Sequence, residues 1–159
     1  MPRLRIFMAE DSAATRARLM QDLGDCGDID IVGCADTEIG AVTWLVKHPQ
    51  GWDLTIVDLA SNPDSGLRTL AACRVRRADQ KVVVLRSDAT SDTWRRCNGL
   101  GADLVIDKLA GSASLLHYCA GLNAGGRRSG ARELLAGLGV LLRSRLAALV
   151  PGRSSPSSS

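Results

Sequence analysis

Short apolar runs alternate five times along this chain with stretches whose apolar residues recur every three to four positions. Runs of roughly four to eight Val, Ile, Leu or Phe residues bounded by turn residues read as strands, and the longer period reads as a helix with one buried face. The predicted strands are Leu4–Ala9, Ile29–Ala35, Leu54–Asp58, Lys81–Arg86 and Leu104–Asp107. The predicted helices are Ala13–Leu23, Glu38–His48, Leu67–Arg77, Asp92–Leu100 and Ser112–Leu122, with Ser12 and Ser91 as N-caps and Gly24 as a stop. The middle three strands are nearly continuous apolar runs, as expected where both faces are covered. Strict alternation of strand and helix predicts an α/β fold, a parallel sheet wrapped by helices.

The pattern then changes. Residues 1–124 form one domain on this reading, and 125–130, within NAGGRRSG, form a linker. A final helix is expected over 131–150, ended by Pro151, and 151–159 is expected to be a disordered tail. On a helical wheel Leu134, Leu135, Leu138, Leu141, Leu142, Leu146 and Leu149 share one broad face, the mark of a helix that must bury something. Arg145 falls inside that face, and Gly137 and Gly139 weaken the helix by about 1 kcal/mol each relative to alanine.

Composition adds little to this but charge adds something. Aromatics are 3% of the 159 residues, so the core must be aliphatic. Residues 1–124 carry 14 Lys and Arg against 16 Asp and Glu, whereas the remainder carries Arg127, Arg128, Arg132, Arg143, Arg145 and Arg153 against Glu133 alone. Such a tail can touch an acidic partner, nucleic acid or lipid, and solvation of a short Arg-containing tail is the commoner outcome. The five cysteines (26, 34, 73, 97, 119) have no zinc-ligand spacing and read as small buried hydrophobes in a reducing compartment. The start, MPRLRIFMAED, turns acidic too early for a secretion signal, and no apolar run approaches the roughly 20 residues that cross a bilayer. The expected location is cytoplasmic, without membrane contact.

In open parallel sheets ligands collect at the carboxyl ends of the strands. There the sequence places Glu10 and Asp11 after strand one, Asp58 at the end of strand three, Arg86 and Ser87 after strand four, and Asp107 and Lys108 after strand five. Converging carboxylates repel one another unless a hard divalent cation or a lysine neutralises them. A carboxylate that becomes an aspartyl-phosphate, stabilised by metal and lysine, is an established form of covalent catalysis.

At this point the chain resembles the receiver domains of bacterial response regulators. The resemblance rests on Glu10-Asp11, Asp58 in DLTIVDL, Gly66 eight residues later, the GAD of Gly101–Asp103, and Lys108. It covers roughly residues 3–122. It implies a flavodoxin-like, doubly wound five-stranded parallel sheet of order 2-1-3-4-5. It implies also that Asp58 accepts a phosphoryl group, that Glu10, Asp11, Asp58 and the main-chain carbonyl of Ala60 hold Mg²⁺, and that Lys108 contacts the phosphate. The implied role is a phosphorelay, with a sensor histidine kinase or phosphotransfer protein as donor and a downstream protein as recipient; the leucine face of the last helix leaves three uses open, docking on its own domain, pairing with a second copy as a homodimer, or binding a separate partner. Any enzymatic activity would be limited to self-phosphorylation and self-dephosphorylation.

Three positions depart from the family. Arg86 stands where a Ser or Thr usually binds a phosphoryl oxygen, so either the adjacent Ser87 contacts the phosphate after a small shift, or Arg86 supplies a cation to it, or the switch is lost; Val105 replaces an aromatic, and Leu109 a proline. Hence a second reading: a degenerate receiver serving as a phosphorylation-independent interaction module. A nucleotide-using or flavin-using enzyme is disfavoured because the first loop, AEDSAAT, lacks glycine and offers acids where phosphate needs N–H groups. The short tail shows no helix-turn-helix pattern, so DNA binding is not expected.

Overall fold

Five strands form at the predicted places, β1 (Leu4–Ala9), β2 (Ile29–Ala35), β3 (Leu54–Asp58), β4 (Lys81–Arg86) and β5 (Leu104–Asp107), because each apolar run finds a neighbour to hydrogen-bond. The computed structural model describes residues 3–58, 66–87 and 90–124. All strand pairings are parallel and the order is β2-β1-β3-β4-β5, the order expected. The helices are α1 (Ala13–Gly24), α2 (Glu38–Lys47), α3 (Leu67–Ala72), α4 (Ser91–Gly99) and α5 (Ala113–Asn123). The expected helix at 131–150, the linker and the tail lie outside the described residues. Among the described residues no helix is long and apolar enough to cross a membrane.

Strand alternation builds two cores. One face of the sheet presents Leu4, Ile6, Met8, Leu54, Ile56, Val83, Leu85 and Ile106 to α1 and α5. The other presents Phe7, Ala9, Val57, Val82 and Val84 to α2, α3 and α4. Burying an aliphatic side chain of this kind contributes about 1.5–3 kcal/mol relative to exposure. The cores contain Cys73, Cys97 and Cys119, whereas Cys26 and Cys34 are exposed, so the expectation of five buried cysteines fails for two of them. Burial pushes the Cys73 and Cys119 thiols up to about 12, which makes neither a nucleophile near neutral pH.

Ser12 caps α1 as expected, accepting from the Thr15 N–H at 3.3 Å. The α4 cap is Thr90 and not Ser91, which is the first helical residue. Helix α3 stops at Ala72, five residues before the expected end. Arg76 donates to the Cys73 carbonyl at 2.7 Å and to the Gln80 carbonyl at 3.0 Å, and the Arg77 N–H goes to Gln80 Oε1 at 2.9 Å. These bonds divert groups that a continuing helix would pair internally. The Arg74, Arg76, Arg77 group therefore lies beyond the helix, and closing the amino end of the sheet is the work of Arg76 and Arg77. Asp53, 4% exposed, takes Arg5 at 3.0 Å and Arg77 at 3.7 Å, and Arg76 pairs with Asp103 at 3.1 Å.

Trp44 of α2 lies flat on the β1–β2 pair, its ring 4.2 Å from Phe7 at 7° and 4.5 Å from His48. Trp52 is buried, whereas Trp94 is 44% exposed. Gly33 sits beside Phe7 in the register, next to the bulge where β2 gains one residue. A Cβ there would stand 2.7 Å from the Trp44 ring. Gly33→Ala should cost about 1–3 kcal/mol through overpacking, read as a lower melting temperature with a shifted tryptophan emission.

Candidate functional site

The two-residue period of the strands decides which side chains meet. Glu10 continues the face of Leu4, Ile6 and Met8; Asp58 continues that of Leu54 and Ile56; Lys108 continues that of Ile106. All three therefore arrive on one face at the carboxyl ends of three strands. The Lys108 ammonium contacts Asp58 Oδ2 and stands 3.6 Å from Glu10 Oε2. Both carboxylate side chains are fully buried, and the lysine side chain is 17% exposed.

Local backbone fixes Glu10. Its Oε1 accepts the Ser12 N–H at 2.8 Å, its own N–H goes to the Ala35 carbonyl at 2.9 Å, and Arg16 donates to its carbonyl at 3.0 Å. Oε2 accepts no hydrogen bond. Burial pushes the Glu10 carboxyl up, and the Ser12 N–H and Lys108 partly offset this.

A cleft of about 50 Å³ opens beside these groups, lined by Glu10, Asp11, Asp58, Asp36, Glu38 and Thr69 among others. Asp11 is exposed on its rim. Asp36 and Glu38 are contributors that the sequence reading missed. The signal was present, since β2 also ends in an acid, Ala35-Asp36, and the same rule of strand ends would have found it. Glu38 Oε1 accepts the Arg68 N–H at 3.0 Å and so ties α2 to the start of α3.

The structure brings together Glu10, Asp58 and Lys108, with Asp11 on the same cleft. Among the described residues no group of three His, Cys, Asp or Glu side chains is arranged to hold a metal ion. The lysine engages Glu10 and Asp58 directly. Ala60 lies outside the described residues. Asp107 turns away, its Oδ1 accepting the Leu109 N–H at 2.8 Å.

No protein-family model matches the sequence, and no curated protein matches it. Solved structures do match. The signal receiver domain of the putative response regulator NarL from Mycobacterium tuberculosis aligns at 20% identity over 68% of this chain and 86% of that one, with a TM-score of 0.59. A chain from the structure of the P1 domain of CheA3 in complex with CheY6 from R. sphaeroides gives 23% identity over 78% and 99%, TM-score 0.63. The CheX-CheY-BeF3-Mg+2 complex from Borrelia burgdorferi gives 20% over 71% and 84%, TM-score 0.62. This chain has the receiver fold.

Within the receiver fold, β4 separates the two expected phosphate-contacting residues. Arg86 continues the face of Val82 and Val84, toward α4 and Val105, and is buried at 8% exposure. Ser87, exposed and one residue past the strand, follows Val83 and Leu85 on the face that carries Asp58 and Lys108. Neither lines the acidic cleft.

Proposed function

We propose that this receiver fold accepts a phosphoryl group on Asp58 and relays a signal through protein contacts. The observation that carries the reading is the Lys108 ammonium set between two fully buried carboxylates, Asp58 and Glu10. A cation already held at that place is a positive charge for an incoming phosphoryl oxygen. Asp58 would attack phosphorus through one carboxylate oxygen, forming an acyl phosphate as the bond to the donor's leaving group breaks. Lys108 would then exchange its contact with Asp58 for one with a phosphoryl oxygen, and Ser87 is the hydroxyl on the matching face.

The donor set suits Mg²⁺. All candidate ligands are hard oxygens and Glu10 Oε2 is buried without a hydrogen bond, although the described side chains are not gathered to hold a cation and Lys108, which engages Glu10 and Asp58, would have to make room for it. Glu10, Asp11 and Asp58, with the Ala60 carbonyl, would hold the ion, which when bound neutralises charge on the phosphoryl oxygens. The phosphodonor would be a sensor histidine kinase or phosphotransfer protein in the cytoplasm.

Intact-protein mass after incubation with acetyl phosphate and Mg²⁺ tests this. One phosphoryl increment is expected, and chelation of the metal with EDTA should abolish it. A second reading, a phosphorylation-independent interaction module, is favoured by the buried Arg86 in place of the usual hydroxyl. An unmodified mass under these conditions, with no amide shift on adding beryllofluoride, would establish that reading instead.

A further inference from the structure

A groove of about 510 Å³ runs between α1 and α5 and shares Lys108 with the candidate site. Leu19 and Leu115 wall it, Leu85 and Ile106 reach it from the sheet, and Leu109 stands on its rim at 82% exposure. We infer that the leucine-rich segment 134–149 of the same chain docks in this groove as a helix. The inference goes beyond phosphoryl acceptance and does not depend on it.

Three observations select that occupant. The chain leaves the domain beside the end of α1, the helix that forms one wall of the groove as far as Asp22: α5 finishes at Asn123, whose side-chain amide donates to the Asp28 carbonyl at 3.2 Å. Nine residues, 125–133, then separate Ala124 from Leu134, a length that holds a tethered segment at roughly millimolar effective concentration over its own domain. As a helix the 16 residues of 134–149 would measure about 24 Å, against about 16 Å for α5. That is enough to run back along α5 to the Leu109 rim.

Charge agrees with this direction. Asp22, Asp25 and Asp28 cluster where α1 ends and β2 begins, and the residues between Ala124 and Leu134 carry Arg127, Arg128 and Arg132 against Glu133 alone. Asp22 Oδ2 is buried and accepts no hydrogen bond, with Arg18 4.0 Å away. Gly137 and Gly139 each cost a helix about 1 kcal/mol relative to alanine, a cost that burial of the leucine face on a surface would offset. Lys108 also lines the groove, so an occupied groove covers one wall of the candidate site.

Limited trypsin digestion of the full chain tests the inference, read by mass at Arg143 and Arg145. Cleavage there should be at least about tenfold slower in the wild type than in the Leu138→Asp, Leu142→Asp double variant, because cleavage follows the population of the undocked segment. Leu109→Asp, on an exposed side chain that the core does not need, should accelerate cleavage to a similar degree even if the double variant fails to fold. The protection should not depend on protein concentration. Equal rates in all chains would overturn the inference. So would protection that disappears on dilution, which would make the occupant a second copy, or protection retained in Leu109→Asp, which would place the segment on another surface.

Discussion

Lys108→Met should lower the folding free energy by roughly 3–5 kcal/mol at neutral pH, the usual result of removing one partner from a buried ionic group. The ammonium is the charge that the Asp58 and Glu10 carboxylates share, and both are fully buried. Methionine keeps the length of the stem and removes only the charge, so the loss reports electrostatics and not a cavity. The deficit has a pH signature. The Glu10 carboxyl is already raised by burial, and losing Lys108 raises it further. A carboxyl raised on folding gives its full stability below its unfolded pKa, where it is neutral in both states, and loses it as pH rises through the folded pKa. The gap between variant and wild type should therefore narrow as pH falls from neutrality through that raised value. Urea unfolding across a pH series measures it, and a pH-independent gap would show that Glu10 does not contribute.

Asp58→Asn should abolish the phosphoryl adduct formed from acetyl phosphate, because an amide cannot supply the attacking carboxylate oxygen. Its effect on stability should be small, since asparagine fills the same volume and Lys108 keeps Glu10, 3.6 Å away, as a partner. The two variants together separate roles: Lys108→Met affects folding and chemistry, Asp58→Asn chemistry alone. An adduct of unchanged yield in Asp58→Asn would move the acceptor to another carboxylate, Asp64 or Asp11 being nearest in the chain or the cleft.

The strand ends show how far a sequence can be read toward a site. Glu10, Asp58 and Lys108 were legible because each follows an apolar run, and alternation within that run fixes the side of the sheet on which the residue emerges. Asp36 obeyed the same rule and was overlooked. The separation of Arg86 from Ser87 was also available in principle, since neighbours in a strand face opposite ways. It needed the knowledge that Val83 and Leu85, and not Val82 and Val84, share a core with Ile56 and Ile106.

The sequence alone determined the five strands and their residues, the alternation that makes the sheet parallel, and the acids and lysine at the strand ends. These follow from local period and side-chain type, which act over a few neighbouring residues. Tertiary structure decided the early end of α3, where Arg76 and Gln80 capture backbone groups across a turn. It decided the exposure of Cys26 and Cys34, and the place of Trp44 over Gly33. Above all it decided that Lys108 meets both Asp58 and Glu10, residues distant in sequence. Such contacts depend on which strands become neighbours and on the burial that leaves two carboxylates with one cation, and local periodicity carries neither.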